Sequence, residues 1–405
     1  MTNQEHPGMP PIQALAEAAA SWGTPLYVTD LDRAAEHLAR YRAAVPDALV
    51  AYAVKANPDP ALLRRLVSDG AGCEVVSGVE LELARRAGCP PQRIVMNGVG
   101  RTDTELGVAL AADALVNAES LDDLAAILRL ATPDARIGLR LNPALDARTH
   151  AHLATGAAEA QFGVALSDLP VALDRIRAAG HRLTALGAHI GSGIGSAQPF
   201  AELAARLGAA RAQAEAAGLA PERIDVGGGL ADAGLLPAWA MALPDGHLIC
   251  EPGRSLVADA GWLVTRVLRV QPRAKVTYLV ADAGMTELIR PMLYAARHPV
   301  FLVREGGPLG ERPSRVRLAG PVCEAGDVLA RDLEEWLSPA ELASSGPGAV
   351  LAIGEAGAYG AAMAMNYNGR LRPAQAVIDR AALRLSRRRE TIEDLVARDA
   401  APPSG

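Results

Sequence analysis

The chain has 405 residues, a length that allows two domains. Half of the residues are hydrophobic and 21% are charged, which suits a large buried core, and no apolar run reaches the ~18 residues of a membrane-spanning helix. The net charge of −6 argues against a general nucleic-acid-binding protein, and residues 1–11 lack the basic and apolar regions of a signal peptide. These features predict a cytoplasmic enzyme.

Neither a disulfide framework nor a metal site is expected. The cysteines, which are few and scattered and include no CxxC pair, are Cys73, Cys89, Cys250 and Cys323. His150 and His152 form an HxH motif, but no third ligand stands near them at a suitable spacing.

Between residues 47 and 253 the chain repeats a short apolar run, a polar or glycine-rich turn and a segment of helical periodicity. The eight apolar runs, read as strands, are Ala48–Lys55, Cys73–Ser77, Ile94–Gly98, Ala114–Asn117, Ile137–Asn142, Ala185–Ile190, Ile224–Gly227 and Leu248–Glu251. The helical segments include Pro60–Asp69, Gly78–Ala87, Leu121–Leu130 and Phe200–Ala217. Continuous apolar strands are typical of a parallel sheet covered on both faces, and eight such units favour a (β/α)8 barrel over a doubly wound open sheet.

After Arg254 the pattern changes to strands separated by Gly, Pro and Asp turns, which predicts a second, mainly antiparallel β domain. Its predicted strands are Trp262–Val270, Val276–Val280, Val316–Leu318, Val350–Ile353 and Gln375–Ile378. Pro25–Thr29 can add a strand to it, Glu390–Arg398 can form a short closing helix, and residues 399–405 are expected to fray. We therefore assign residues 31–270 to the barrel and residues 1–30 and 271–405 to the β domain.

Lysine is almost absent, since only Lys55 and Lys275 occur among the 40 basic residues. Lys275 precedes a predicted strand and is interpreted as a surface residue. Lys55 ends an otherwise apolar strand, where a lysine is costly unless it is used or paired. The sequence therefore predicts that Lys55 is a reactive amine.

Polar residues and glycines follow several of the predicted barrel strands, where barrel enzymes carry their active sites. They are Lys55 after the first strand, His189 and Ser192 after the sixth, Gly227, Gly228 and Gly229 after the seventh, and Glu251 and Gly253 at the eighth. The glycine turns can wrap a phosphate, Lys55 offers an amine, His189 can stack on a flat ring and Glu251 can pair with a protonated ring nitrogen. Together these groups indicate a pyridoxal 5'-phosphate (PLP) site.

From about Pro25 to Ile378 the chain resembles the fold-type III PLP-dependent decarboxylases, and among them the diaminopimelate decarboxylases. The motifs that carry the resemblance are Tyr52-Ala-Val-Lys-Ala-Asn57, His189-Ile-Gly-Ser192, Asp225-Val-Gly-Gly-Gly229, Glu251-Pro-Gly-Arg254, Asp282-Ala-Gly-Met285, Arg290-Pro-Met-Leu-Tyr294, Cys323-Glu324, Gly357-Ala-Tyr-Gly360 and Asn366-Tyr-Asn368. In one departure, Glu74 stands where the family usually has an aspartate.

The resemblance implies a role for each matching residue. Lys55 would carry the cofactor and Cys323, from the partner subunit of a homodimer with shared active sites, would donate a proton. The other cofactor-binding residues would be His189, Ser192, Gly227, Gly228, Gly229, Glu251, Pro252, Gly253, Arg254 and Tyr359. The substrate-binding residues would be Arg254, Arg290, Tyr294, Glu324 and Tyr359. The β domain would complete the active site and the dimer interface.

The implied reaction is decarboxylation of meso-2,6-diaminopimelate to L-lysine and CO2, the last step of lysine biosynthesis. Arg290 and Arg254 can pair with the carboxylate at the unreactive end of that substrate, and Glu324 suits its ammonium group. Two alternatives stay open. One is a related decarboxylase acting on carboxynorspermidine or on a carrier-linked amino acid, and the other is a non-catalytic PLP-binding protein.

Overall fold

The computed structural model describes residues 10–145, 156, 159–231, 233–310 and 315–399. His150, His152 and the predicted frayed residues 400–405 lie outside these ranges. The chain divides into two compact units, one formed by Arg33–Val257 and the other by Met1–Asp32 together with Ala258–Gly405.

Strands and helices alternate through the first unit, whereas strands predominate in the second. The strands are β1 Leu26–Asp30, β2 Leu49–Ala53, β3 Gly72–Val75, β4 Ile94–Met96, β5 Leu115–Ala118, β6 Ile137–Asn142, β7 Val164–Ala165, β8 Leu183–Gly187, β9 Arg223–Asp225, β10 Leu248–Cys250, β11 Gly261–Arg273, β12 Val276–Ala281, β13 Val300–Arg304, β14 Val316–Ala319, β15 Val328–Ala330, β16 Val350–Ile353, β17 Ala374–Asp379 and β18 Ala382–Arg387. The α-helices are α1 Ile12–Trp22, α2 Leu31–Ala44, α3 Pro60–Ser68, α4 Gly78–Arg86, α5 Asp103–Ala111, α6 Leu121–Leu130, α7 Leu169–Ala178, α8 Gln198–Ala216, α9 Leu236–Met241, α10 Arg254–Val257, α11 Arg290–Leu293, α12 Pro339–Ala343 and α13 Ile392–Val396.

The first unit is a closed parallel barrel. Its strands pair in the order β5-β4-β3-β2-β10-β9-β8-β6, and β5 also pairs with β6, which closes the circle. The short strand β7 adds to β6 outside this circle. The closed ring of eight parallel strands confirms the predicted barrel and excludes the open sheet.

Local sequence signals explain how several barrel strands pass into their helices. Asp59 accepts hydrogen bonds from the backbone N–H groups of Ala61 and Leu62 at the start of α3, with Pro60 as the first helical residue. Thr102 and Glu105 form a capping box at the start of α5. These polar caps end the apolar strand segments and fix where the barrel loops turn back.

The lower interior of the barrel is apolar. Leu49, Ala51, Val95, Leu115, Ala185 and Ile249 form one buried cluster. These residues come from strands that are not all neighbours, so they can meet only inside the barrel. Because side chains alternate between the two faces of a strand, residues two positions further along the same strands also point inward.

The second unit is built on a mixed, mostly antiparallel nine-stranded sheet, as predicted. β1 lies between β11, to which it is antiparallel, and β17, to which it is parallel. Strand β11 pairs only with β1, β12 and β16 of this unit, although most of it falls inside the limits predicted for the barrel. The sequence did not predict β13, β15 or β18.

Both faces of this second sheet are covered. Tyr27 and Leu263 enter one hydrophobic cluster, whereas Leu26, Val28 and Trp262 enter another that includes residues of α1. Adjacent residues of one strand thus lie in different cores, which explains why these strands read as continuous apolar runs. No helix in the described ranges is long and apolar enough to cross a membrane.

Candidate active site at the carboxyl end of the barrel

A polar layer lies directly above the apolar layer inside the barrel. Asn97, Asn117 and Glu251 come two residues after the core residues Val95, Leu115 and Ile249. All three polar side chains are buried, and the period of two along a strand places them on the inner face. The carboxyl ends of the strands therefore carry a set of buried hydrogen-bonding groups.

The prediction that Lys55 ends the first barrel strand is wrong. The strand β2 stops at Ala53, and Lys55 lies in the 3-10 turn Val54–Ala56 that follows it, because the N–H of Asn57 bonds back to the carbonyl of Val54. The side chain of Lys55 is 40% exposed and forms an ion pair with the buried Glu74 carboxylate. The amine is therefore both accessible and fixed.

Asn97 links Glu74 with Glu251. Its Nδ2 donates to Glu74 Oε1 at 3.2 Å and to Glu251 Oε1 at 2.6 Å. Asn117 Nδ2 in turn donates to Asn97 Oδ1 at 2.8 Å. One hydrogen-bonded network thus runs from Lys55 across the mouth of the barrel to Glu251.

Glycines on the inner face make room for these polar side chains. A Cβ at Gly138 would lie 1.9 Å from Asn117 Oδ1, and a Cβ at Gly187 would lie 2.4 Å from Asp225 Cβ. Any larger residue at either position would collide with the polar layer.

A second polar group lies at the ends of β5 and β6. Arg140 Nη1 is 2.9 Å from Glu119 Oε1, and the N–H of Gly98 donates to the same oxygen at 2.7 Å. Both side chains of this ion pair are buried. Arg140 also lines a cavity whose other walls are Asn97, Asn117, Gly187, Ala188, His189, Asp225 and Glu251.

His189 is neutral in this environment. Burial, together with the positive charges of Arg140 and Lys55, holds the pKa of His189 well below its ordinary value. Its Nδ1 accepts a hydrogen bond from the N–H of Gly228 at 3.2 Å, which leaves the proton on Nε2. A neutral imidazole suits stacking on a ring that carries positive charge.

The predicted glycine turn after β9 packs against the loop after β10. Gly227 and Gly229 have φ of +65° and +108°, which favours glycine, and a Cβ at Gly228 would lie 2.2 Å from the carbonyl oxygen of Glu251. The amide of Gly227 donates to Asp225 Oδ1 at 2.8 Å, and that of Gly228 donates to His189. These two amides hold the Asp225 and His189 side chains in place, a role of the glycine turn that the sequence did not reveal.

Replacing Gly228 with alanine should disrupt the packing between the loop after β9 and the loop after β10. The added methyl group cannot fit against the Glu251 backbone, so we expect the two loops to separate and PLP affinity to fall roughly tenfold or more, about 1.4 kcal/mol. Titration of the apoprotein with PLP measures this. Gly208→Ala, inside α8, is the control for a glycine substitution in the same unit, since nothing lies within 4 Å of its Cβ position and its backbone is helical. Equal affinity of Gly228→Ala and the wild type would contradict the close packing.

Ser192 and Arg254 are in contact. Arg254 Nη2 donates to Ser192 Oγ at 3.2 Å. Arg254 begins α10, directly after the Glu251-Pro252-Gly253 turn. A serine hydroxyl and a guanidinium beside two glycine turns are the donor types that bind phosphate.

Glu74 and Glu119 are paired with Lys55 and Arg140, but the pKa values of two other buried carboxyls, those of Glu251 and Asp225, are raised. Burial, the neighbouring Asp225 and then Glu74 raise the pKa of Glu251 well above its ordinary value. Burial likewise raises the pKa of Asp225 to about 6. A cationic ring nitrogen beside Glu251 would relieve the repulsion among these carboxyls. The glycine loops leave no room for a Cβ atom, but without one they allow a phosphate to approach the backbone closely. The residues present therefore fit PLP.

Three of the predicted substrate-binding residues lie together in the second unit. Arg290, in α11, is buried, and its guanidinium carbon lies 5.5 Å from the ring centre of Tyr294 and 5.8 Å from that of Tyr359. Tyr359 has φ of +57°, an uncommon value for a residue other than glycine. The two rings hold the guanidinium by cation–π contact.

Cys323 and Glu324 are exposed on a turn of the second unit. The turn is held by Asp327, which accepts hydrogen bonds from the N–H groups of Val322 at 2.8 Å and Met285 at 2.6 Å. Asn368 Oδ1 accepts from the N–H of Cys323 at 2.8 Å. The backbone beneath the Cys323 thiol is therefore fixed from two sides.

The comparison with known families gives the class first. The family described as "Pyridoxal-dependent decarboxylase, pyridoxal binding domain" matches residues 31–258, which hold the barrel and every site residue described in it. The barrel and its site are those of a PLP-dependent decarboxylase.

Individual relatives narrow this class. The diaminopimelate decarboxylase of Deinococcus radiodurans is 38% identical over 95% of this chain and 98% of its own length. The Helicobacter pylori diaminopimelate decarboxylase structure, complexed with L-lysine, has a TM-score of 0.87 at 31% identity, covering 94% of this chain and 98% of that one. The M. jannaschii enzyme, also with L-lysine, has a TM-score of 0.84 at 31% identity, covering 96% and 94%. The chain belongs to the diaminopimelate decarboxylase family.

Proposed function

We propose that the protein decarboxylates meso-2,6-diaminopimelate to L-lysine and CO2 with PLP as cofactor. The observation that carries this is the network from Lys55 through Glu74 and Asn97 to Glu251 in a chain of this family. It joins an amine to a buried carboxyl, the two groups that PLP requires at its opposite ends.

The chain's own residues then have distinct tasks. When bound, PLP supplies an aldehyde that condenses with amines and a ring that accepts the electron pair left by CO2. Lys55 anchors the cofactor, His189 covers its ring, and Glu251 holds a proton at the ring nitrogen. Ser192, Pro252, Arg254 and the glycines Gly227–Gly229 and Gly253 hold the phosphate.

Complementation tests this function in a cell. A lysine auxotroph that lacks diaminopimelate decarboxylase should grow without lysine when it expresses this chain. Expression of Lys55→Ala should not restore growth. Failure of the wild-type chain to support growth, when it is expressed and folded, would contradict the proposal.

Substrate selection is assigned to the second unit and to Arg254. We propose that Arg290 and Arg254 bind the distal carboxylate, that Glu324 binds the distal ammonium group, and that Tyr294 and Tyr359 complete the substrate contacts. A planar guanidinium binds a carboxylate through two parallel hydrogen bonds, and the two rings beside Arg290 hold it in one plane.

Replacing Arg290 with leucine should lower kcat/KM for diaminopimelate roughly 100-fold, because a buried charge pair with the substrate costs ~3 kcal/mol when one partner is removed. PLP binding should be unchanged, which absorbance can verify. Arg297→Leu, on the exposed surface of the same unit, is the matched control. Unchanged kcat/KM in Arg290→Leu would remove this residue from substrate recognition.

We propose that Cys323 protonates the α-carbon after CO2 leaves. Cys323→Ala should lose about 100-fold in kcat, within the range for a general acid, while PLP stays bound. The other cysteines, Cys73, Cys89 and Cys250, are buried, so a thiol-alkylating reagent added to the native protein should reach Cys323 first. The reagent should inactivate the wild type and leave the residual activity of Cys323→Ala unaffected. Full turnover in that variant would exclude it as the proton donor.

We further propose a homodimer with shared active sites that works in the cytoplasm. The exposed Cys323-Glu324 turn, held firmly by Asp327 and Asn368, suits a group that one subunit offers to its partner. Mixing inactive Lys55→Ala with inactive Cys323→Ala subunits should restore up to about a quarter of the activity if the sites are shared. Absence of recovery in mixed dimers would contradict this arrangement.

A further inference from the structure

Asn97 occupies a position that no cofactor-binding or catalytic prediction included. Its Nδ2 is 3.2 Å from Glu74 Oε1 and 2.6 Å from Glu251 Oε1, and all three side chains are at least nine-tenths buried. Since Glu74 is also paired with Lys55, Asn97 is the middle member of a continuous chain of contacts.

The orientation of the Asn97 amide is fixed by a fourth residue. Asn117 Nδ2 donates to Asn97 Oδ1 at 2.8 Å, so the oxygen of Asn97 faces Asn117 and its NH2 group faces the two carboxylates. The backbone N–H of Asn97 also bonds to the carbonyl of Val75 at 2.9 Å. With its amide reversed, Asn97 would turn its oxygen toward the two carboxylates and its NH2 group toward the NH2 group of Asn117, and these contacts would be lost.

An amide group suits this place electrostatically. Two buried carboxylates repel each other, and a neutral NH2 group can donate one hydrogen to each without adding a charge. A lysine or arginine would instead neutralise Glu251 and remove its attraction for a cationic ring nitrogen. An aspartate would add a third buried negative charge.

We propose that Asn97 is a positioning residue that aims the Glu251 carboxylate at the ring nitrogen of PLP and couples it to the Lys55–Glu74 pair. The inference rests on the proposed roles of Lys55 and Glu251. It also gives a reason for the glutamate at position 74, where the family resemblance leads one to expect aspartate. One oxygen of Glu74 reaches Lys55 while the other accepts from Asn97.

Two measurements on Asn97→Ala test this role. PLP labelled with 15N at the ring nitrogen reports by NMR whether that nitrogen is protonated, which is the task assigned to Glu251. We expect a protonated nitrogen in the wild type, a clear shift toward the neutral form in Asn97→Ala, and about a tenfold rise in the Kd for PLP. Thr184→Ala is the control, because Thr184 is equally buried in strand β8 of the same barrel but alternates with the inward-facing Ala185.

A double-mutant cycle separates positioning from direct contact with the cofactor. If Asn97 acts through Glu251, Asn97→Ala should change the Kd for PLP less than about twofold when Glu251 is already alanine. An equal, tenfold effect in both backgrounds would overturn the proposal, as would a wild-type 15N spectrum in Asn97→Ala.

Folding of the variants is followed by circular dichroism and thermal melting. If Asn97→Ala does not fold, Asn97→Ser takes its place, since its hydroxyl keeps a polar group in the cavity but can reach only one carboxylate. Failure of wild-type protein to bind PLP would refute the proposed function itself. Normal PLP binding by the wild type, together with effects of Asn97→Ala and Glu251→Ala on the Kd that are independent of each other, would refute only the role of Asn97.

Discussion

Replacing Lys55 with alanine is expected to abolish turnover, lowering kcat at least 1,000-fold, about 4 kcal/mol in activation free energy. In the proposed function, the side chain provides the amine that anchors the cofactor and later helps to release the product. Its ion pair with Glu74 keeps it at the mouth of the barrel, and its 40% exposure leaves it accessible. Neither function can be taken over by another side chain of the site, because none of the neighbours described there is a primary amine.

The near absence of lysine makes this prediction unusually easy to test. The chain offers two lysine side chains, so Lys275→Ala is a matched control on an exposed turn of the second unit. Borohydride reduction of the PLP-loaded protein followed by peptide mapping should place the cofactor on Lys55 alone. Label on Lys275, or a Lys55→Ala variant with near-normal kcat, would contradict the assignment.

Replacing Glu251 with glutamine should have the second-largest effect, a loss of about 100-fold in kcat, or roughly 2.7 kcal/mol. The substitution keeps the volume of the side chain but removes the negative charge that we propose stabilises a protonated ring nitrogen. Because burial and the carboxyls of Asp225 and Glu74 already raise the pKa of Glu251, its ionised form depends on a positive partner. The amide cannot provide that pairing.

Steady-state kinetics and absorbance together test the Glu251 prediction. The expected pattern is a lower kcat with the cofactor still attached to Lys55. Glu222→Gln is the control, because Glu222 is an exposed carboxylate that pairs with Arg182 on the outside of the barrel unit. A normal kcat for Glu251→Gln would show that the ring nitrogen needs no charged partner.

The barrel was predictable because its strands are short apolar runs that end at polar caps. All eight predicted runs overlap strands of the closed ring, but several were predicted to end two or three residues too late; β2 stops before Lys55, and β8 ends at Gly187 rather than Ile190. In the second unit β13, β15 and β18 were missed. β18 is largely exposed and shows no clear apolar pattern, whereas β13 begins with four consecutive apolar residues that the sequence analysis did not assign to a strand.

The polar layer of the site was harder to predict. Asn97 and Asn117 are common residue types at strand ends, where they usually cap a turn, and only their position two residues beyond Val95 and Leu115 marks them as inward-facing. Glu74 departs from the residue usual in the family, and the predicted barrel already places its strand between those that precede Lys55 and Asn97. Its contacts with both residues depend on the directions of the three side chains, which only the folded barrel sets.

The most direct test of the proposed function is the reaction of the purified protein, loaded with PLP, with meso-diaminopimelate. The same assay should include ornithine, arginine, lysine and carboxynorspermidine. We predict equal amounts of CO2 and L-lysine from meso-diaminopimelate, with little CO2 from any of the others. No CO2 from meso-diaminopimelate, together with rapid release from another member of the panel, would contradict the assignment.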